Sequence, residues 1–186
     1  MEKSEINPPA HLKNKHTDDL IDHYWGSISY VSSLIKASEI KAGLILSFYG
    51  ILLNFVYQNL GLVLAHFEDD TLIYFLLTTW FACAIVSIYF SIRCFMPRIE
   101  SKYDKNIFFF GDVISKFGDI NQFSKTFFKI SLDEKQLFDQ LGQQIFINAK
   151  IANLKFQNVQ KALKFLAIQF VVLLVIVLYY ILATFI

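Results

Sequence analysis

Five polar side chains interrupt otherwise apolar patterns in this chain, and together they have the chemistry of an anion site. Lys41 stands before a long uncharged run, and Arg98 follows a second run. Gln144, Asn148 and Lys155 fall in or beside an apolar stripe later in the chain. Cationic groups make strong charge-assisted hydrogen bonds to phosphate, and amides can pair with the edge of a base. Brought together by the fold, these side chains would hold a phosphate and a base.

Three of these residues also have a purely structural interpretation. Lys41 can be an anchor whose ammonium group reaches the headgroups at the membrane boundary. Lys155 can lie on the solvated flank of a pair of packed helices. Asn148 can be a polar residue that sets the register of such a pair. The sequence leaves both interpretations of each residue open.

A second polar pair, Asn54 and Gln58, lies inside the first uncharged run, four residues apart on one helix face. Polar side chains within a bilayer face protein or water rather than lipid. The pair therefore predicts either a hydrogen bond inside one subunit or an oligomer contact or pore-lining face.

Conventional catalytic motifs are absent from the sequence. It contains no Walker-type glycine loop, no GxSxG and no HExxH. Its four histidines are scattered, whereas a metal site needs several convergent ligands. A net charge of +1 also argues against a nucleic-acid polymer as partner, because phosphate binding needs a basic face. We therefore predict that the protein is not an enzyme and has no metal and no cofactor.

Membrane helices are the elements that must position these residues. The uncharged runs at about 42–65, 72–92 and 165–186 are each long enough to cross a hydrocarbon core of roughly 30 Å. All 17 Lys and Arg residues lie before the first run or between the second and the third. The positive-inside rule therefore predicts a cytoplasmic N-terminus and an external turn between the first two spans.

This topology predicts an all-α membrane protein whose three transmembrane helices extend into a cytoplasmic helical bundle. The predicted segments, in chain order, are a flexible cytoplasmic tail (1–16), a cytoplasmic helix (17–41), transmembrane helix 1 (42–65), an external turn (66–71), transmembrane helix 2 (72–96), a cytoplasmic helical sensor region (97–164) and transmembrane helix 3 (165–186). Apolar stripes from Leu20 to Ser38 and from Leu137 to Leu163 predict that the two long helices pack together, parallel or antiparallel.

Local signals predict the ends and the connections of these helices. Thr17 is the expected cap of the first helix, and Ser131 with Glu134 fits a capping box at the start of the last. The run 107–111 is either a short buried strand or a wedge against the headgroups, and residues 119–130 have helical spacing.

Four short motifs, in their order and spacing, resemble one family, the transmembrane effectors of Pycsar anti-phage systems (PycTM). They are Glu39-Ile40-Lys41-Ala42, Pro97-Arg98, Phe109-Phe110-Gly111-Asp112, and the helix from Gln144-Ile145 to Lys155-Phe156. The resemblance covers about residues 36–186. Glu39 departs from the family pattern, which has Asp at that position.

The resemblance implies a multi-pass protein of the bacterial inner membrane that takes part in abortive infection. Such an effector senses cyclic CMP or cyclic UMP, which a partner cyclase makes, and then impairs the membrane. Three spans are too few to enclose a wide pore, so we expect a homo-oligomer, with Asn54 and Gln58 at its contacts or pore. The implied nucleotide site comprises Lys41, Arg98, Gly111, Gln144, Asn148 and Lys155. The alternatives are a ligand-independent membrane scaffold or assembly subunit, and a small channel component.

Overall fold

The computed structural model describes residues 10–66, 70–96 and 105–185, and within them it contains five helices and no strand. The helices are α1 (Ala10–His66), α2 (Thr71–Phe95), α3 (Phe110–Ser115), α4 (Ile120–Ser131) and α5 (Glu134–Phe185). The predicted all-α class is confirmed. Asn106 and the residues after it form a turn that leads into α3, so the strand alternative for 107–111 is wrong.

Three of the helices, α1, α2 and α5, are long and apolar enough to cross a membrane. The 57 residues of α1 and the 52 residues of α5 correspond to roughly 85 Å and 78 Å. Both lengths exceed twice the thickness of a hydrocarbon core. Each long helix therefore contains one span together with a long extension, as the sequence predicts.

Two helix starts differ from the predictions. α1 begins at Ala10, so Thr17 lies inside the helix, where its hydroxyl donates to Glu134 Oε1 at 3.0 Å. Ser131 is the last residue of α4 and donates to the Phe127 carbonyl at 2.8 Å. The cap of α5 is Asp133, because its carboxylate accepts from the Gln136 backbone N–H at 3.1 Å and a carboxylate suits the positive end of a helix dipole.

The chain forms two compact units, and α1 and α5 each contribute to both of them. The first unit comprises Met1–Leu34 and Arg98–Ile151, and the second comprises Ile35–Pro97 and Ala152–Ile186.

In the first unit, the early parts of α1 and α5 run parallel. Thr17 bonds to Glu134, and the Tyr24 ring, about two turns further along α1, lies 5.3 Å from the ring of Phe138, about one turn further along α5, centroid to centroid. Leu141 is almost fully buried in this unit. The predicted stripe over 20–38 is confirmed, since its members are buried or half-buried.

In the second unit, α1 and α5 are again parallel, and α2 runs antiparallel to both. Three core clusters show this order: Ala42 with Cys94 and Val159, then Ile45 and Tyr49 with Ala84 and Ala162, then Ile73 and Trp80 with Ile176. Alanine at the contacts lets the helix backbones approach closely, which is typical of membrane helix packing. Leu163 is the exception in the second predicted stripe, since it is 45% exposed.

Polar contacts also join the helices of the second unit. The Ser87 hydroxyl donates to the Ala162 carbonyl at 2.8 Å, and the Tyr49 hydroxyl donates to Gln169 Oε1 at 2.5 Å. The Asp70 carboxylate, which also caps α2, accepts from the Tyr179 hydroxyl on α5. Such bonds fix the register of apolar helices that would otherwise slide.

Candidate ligand-binding site

A buried amide pair lies on α5 within the first unit. Gln144 Nε2 donates to Asn148 Oδ1 at 3.0 Å, and the two residues are 7% and 9% exposed. Gln144 Oε1 is buried and has no hydrogen-bond partner among the described residues. An unsatisfied buried acceptor costs about 1–3 kcal/mol. This oxygen is therefore a place where a donor from a bound molecule would be stabilising.

A second polar network in the first unit holds the turn before α3. The side chain of Asn106, which is fully buried, donates to the Gln140 carbonyl at 2.7 Å and accepts from the Phe108 N–H at 2.8 Å. Its backbone N–H donates to Asp112 Oδ2 at 3.0 Å, and the other oxygen of Asp112 pairs with Lys116 at 2.8 Å. Gln140 Oε1 accepts from the Ile107 N–H at 2.9 Å. The network ties the 105–116 segment to α5.

Sequence reasoning missed Asn106 and Gln140 as structural residues. The sequence signal for this turn was Asn106 itself. Asparagine before an apolar run favours a turn, because its side chain can accept a hydrogen bond from the backbone N–H two residues further on. The partner, Gln140, is 34 residues away, and no local pattern indicates that distance.

Gly111, a predicted ligand residue, lies in the first turn of α3 and has a packing role there. A Cβ at this position would lie 2.9 Å from Cε1 of the Phe109 ring, which is closer than carbon atoms tolerate. Glycine therefore makes room for the preceding ring. The aromatic-glycine element of the sequence has a steric explanation that needs no ligand.

In the second unit, Lys155 joins α5 to both other helices. Its ammonium group donates to Glu39 Oε1 on α1 at 2.7 Å and to the Cys94 carbonyl on α2 at 2.6 Å. The Cys94 carbonyl is one of the last four carbonyl groups of α2, which accept no hydrogen bond from a backbone N–H of their own helix. Lys155 therefore also caps the C-terminal end of α2. Lys155 is 8% exposed, so its interpretation as a solvated flank is wrong.

The other predicted cations are placed differently. Lys41 is exposed on α1, and its ammonium group lies 5.9 Å from the centroid of the Phe156 ring on α5. Arg98 lies outside the described residues. Of the predicted ligand residues, Gly111, Gln144 and Asn148 thus belong to the first unit, and Lys41 and Lys155 belong to the second.

Asn54 and Gln58 both lie on the exposed face of α1. Their neighbours Ile51 and Tyr57 are 73% and 80% exposed, so this face is lipid-facing or contact-forming in a membrane. Outward polar side chains in a bilayer need a partner. The arrangement favours the oligomer alternative over internal packing.

These features define a class of protein: an all-α chain with three helices that could span a membrane and with buried polar side chains on the extension of its last helix. Residues 23–182 match the family model described as the Pycsar effector protein domain (PycTM), so the chain belongs to the Pycsar effector family. It is 28% identical over 133 residues to the Pycsar effector protein SaPycTM of Staphylococcus aureus, which covers 72% of this chain and 78% of that protein. No solved structure matches the chain significantly.

The family membership predicted from the four motifs is therefore confirmed. The protein is an anti-phage defence effector with membrane helices, and its family is not a known class of enzyme. The family implies a cyclase partner that acts through a cyclic nucleotide messenger.

Proposed function

We propose that this effector resides in the bacterial inner membrane, senses cyclic CMP or cyclic UMP made by its partner cyclase, and responds by self-association that impairs the membrane. Family membership supports the messenger and the role in defence. The three apolar helices support the site of action. The exposed pair Asn54 and Gln58 supports the self-association.

The observation that carries nucleotide sensing is the buried amide pair with its unpartnered acceptor. A pyrimidine edge carries one donor that distinguishes the bases, namely the 4-amino group of cytosine or the N3–H of uracil. Gln144 Oε1 can accept from either donor, and the amide of Asn148 can turn its donor or its acceptor toward the base. We propose that these two amides read the base edge.

Lys155 and Lys41 supply the cationic chemistry that a cyclic phosphate requires. The Lys155 ammonium group has three donors, of which Glu39 and the Cys94 carbonyl take two. A phosphate oxygen can use the third donor, or it can replace Glu39, whose side chain is 38% exposed. We propose that either event loosens the contact between α1 and α5 and so links messenger binding to the membrane helices.

Isothermal titration of the purified chain with cyclic CMP and cyclic UMP tests this proposal, with cyclic AMP as the comparison ligand. Gln144→Met removes both polar atoms at nearly constant volume and should weaken binding about tenfold or more. Gln157→Met is the matched control, because Gln157 is exposed on the same helix. Lys155→Ala should act like Gln144→Met. Lys164→Ala should bind normally, because Lys164 is nine residues further along α5 and on the opposite face of the helix.

The proposed site would be ruled out if the affinity for the pyrimidine cyclic nucleotides were unchanged in all four variants, Gln144→Met, Lys155→Ala, Lys41→Ala and Arg98→Ala. Absence of heat with both pyrimidine nucleotides, for a folded wild-type protein, would remove the proposed messenger.

The proposed orientation has the N-terminus and residues 97–164 in the cytoplasm. Cysteines introduced at positions 68 and 125 distinguish the two orientations in whole cells. A membrane-impermeant maleimide should label position 68 and should spare position 125 until the cells are opened. The reverse pattern would invert the topology.

A further inference from the structure

Two cations flank a row of aromatic rings in the second unit, where α2 packs against α5. The Lys161 ammonium group lies 5.2 Å from the centroid of the Phe90 ring. The Phe90 ring lies 5.3 Å from the Tyr89 ring, and the Arg93 guanidinium lies 5.8 Å from the centroid of the Tyr89 ring. Phe90 also stacks on Phe165 of α5, with 6.3 Å between the ring centroids. We call Lys161, Phe90, Tyr89 and Arg93 the cation–aromatic row.

The helical period places both charges on the same side of the α2–α5 contact. Arg93 is three residues after Phe90 on α2, about 60° around that helix. Lys161 is four residues before Phe165 on α5, about 40° around that helix. Because the stacked rings of Phe90 and Phe165 join the two helices, both charges project beside one pair of rings.

Neither charge has a carboxylate partner among the described residues. α2 contains no Asp or Glu, and α5 contains none from Ala152 to Phe185. Arg93 donates one hydrogen bond, to the Tyr89 hydroxyl at 2.7 Å, which leaves most donors of its guanidinium available. Lys161 is exposed, and the described residues give its ammonium group only the contact with the Phe90 ring. Both cations therefore keep donors that an anion can use.

The cation–aromatic row lies at the end of the candidate spans that carries the positive charges. Arg93 directly follows the uncharged run 72–92, and Lys161 lies one turn before the run 165–186. Two turns further along α5, Ile168 is 40% exposed and continues the surface as an apolar one. Aromatic rings and cations at this depth meet lipid headgroups, and basic surfaces between membrane helices suit anionic ones.

We propose that the cation–aromatic row binds the headgroup of an anionic phospholipid. Lys161 and Arg93 donate to its phosphate oxygens, and the rings of Tyr89 and Phe90 pack against the glycerol and the first carbons of an acyl chain. A zwitterionic headgroup brings an ammonium group of its own, which both cations repel, so the site selects an anionic lipid. This assignment does not depend on nucleotide sensing, since none of these residues belongs to the proposed nucleotide site.

Native mass spectrometry of the full chain in detergent tests the proposal, with phosphatidylglycerol and phosphatidylcholine of the same acyl chains as the two probes. The wild type should bind the first phosphatidylglycerol roughly tenfold more tightly than the first phosphatidylcholine, from two contacts between cation and phosphate. Arg93→Gln with Lys161→Gln should abolish that preference, and Arg93→Lys with Lys161→Arg, which retains both charges, should keep most of it. Equal affinity of the wild type for the two lipids would overturn the proposal.

A matched charge control separates a site from general attraction. Lys36→Gln with Lys41→Gln removes the same charge from α1, before the run 42–65, and should retain the lipid preference. A loss equal to that of Arg93→Gln with Lys161→Gln would show diffuse attraction and contradict a site. Circular dichroism of every variant checks that the helices are formed.

A second control distinguishes lipid phosphate from nucleotide phosphate. Arg93→Gln with Lys161→Gln should bind cyclic CMP and cyclic UMP as the wild type does, in isothermal titration. Loss of nucleotide affinity in this variant would assign the two cations to the nucleotide and overturn the lipid site. Absence of nucleotide binding in the wild type would remove the proposed messenger and leave the lipid preference to be judged by mass spectrometry alone.

Discussion

Lys155 is a buried cation whose hydrogen bonds replace the water it loses. A charge with no partner in such a place costs several kcal/mol, which explains why a carboxylate and a helix-end carbonyl both face it. The Glu39 carboxylate supplies the opposite charge, and the Cys94 carbonyl supplies the negative end of the α2 dipole. The residue is therefore a structural tie between α5 and the other two long helices and, in the proposed mechanism, the cation that meets the phosphate.

Lys155→Met tests the structural half of this account. Methionine keeps the apolar stem but leaves Glu39 and the Cys94 carbonyl without their donor, so we expect a loss of about 1–3 kcal/mol in the free energy of unfolding. Lys164→Met, an exposed position on the same helix, should change stability by less than about 0.5 kcal/mol. Denaturant titration in detergent, followed by circular dichroism, measures both; equal stability of the two variants would show that the Lys155 contacts contribute nothing.

Gly111 gives a sharper test, because the chain offers a matched glycine. Gly111→Ala brings a methyl group against the Phe109 ring and should cost about 1–3 kcal/mol as the ring shifts. Gly26→Ala is the control, since no atom of the described residues lies within 4 Å of a Cβ there and alanine favours a helix. The midpoint temperature of thermal unfolding should fall for Gly111→Ala, and it should stay unchanged or rise for Gly26→Ala. Recovery of stability in Gly111→Ala with Phe109→Leu would identify the ring as the cause, and a neutral Gly111→Ala would contradict the steric explanation.

At the scale of elements, helix ends were harder to predict than helix faces. The stripes on α1 and α5 were readable because burial repeats with the helical period. The start of α5 was not, because Ser131, Asp133 and Glu134 all suit a helix terminus and only the fold selects Asp133. Long-range polar contacts could not be predicted from the sequence either. Glu39 and Lys155 are 116 residues apart, and the spacing of apolar residues shows only that Lys155 interrupts the apolar stripe on α5.

The cap of α5 makes a prediction about pH. The Gln136 backbone N–H donates a hydrogen bond to the Asp133 carboxylate, and this bond holds the pKa of Asp133 below its ordinary value of 3.8. A carboxyl group with a lower pKa in the folded state stabilises the fold above that ordinary value, and this contribution is lost as the pH falls through the folded pKa. Asp133→Asn keeps a neutral cap, so the wild type should be the more stable protein at pH 7 and should lose that advantage below pH 3.8. The free energy of unfolding of both proteins, measured across this pH range, tests the prediction. A difference in stability between them that does not change with pH would refute Asp133 as the charged cap of α5.

At the scale of the whole molecule, one polar face of α1 is exposed among the residues that the structure describes. A second copy is the simplest partner for Asn54 and Gln58, because each side chain can then hydrogen-bond across the contact. The sequence indicated this pair, and the structure adds that both side chains are exposed.

Asn54→Leu with Gln58→Leu should weaken self-association and leave nucleotide affinity unchanged. Interhelical hydrogen bonds in membranes average about 0.6 kcal/mol, so losing two should weaken each contact by roughly fivefold to tenfold. Ile51→Leu with Tyr57→Phe is the control, because it changes two other exposed positions on α1 and retains the two amides. Subunit counting by photobleaching in liposomes with nucleotide present measures the effect; assembly like that of the wild type would assign the polar face no role.

Leakage from liposomes that contain only the purified wild-type protein is the most direct test of nucleotide-gated membrane impairment. Cyclic CMP or cyclic UMP, added on the side that exposes residues 97–164, should release an entrapped dye, and cyclic AMP should not. Gln144→Met should shift the response to about tenfold higher nucleotide concentration or beyond, in line with its loss of affinity. Dye release without any nucleotide, or retention of the dye at saturating cyclic CMP and cyclic UMP, would contradict the account.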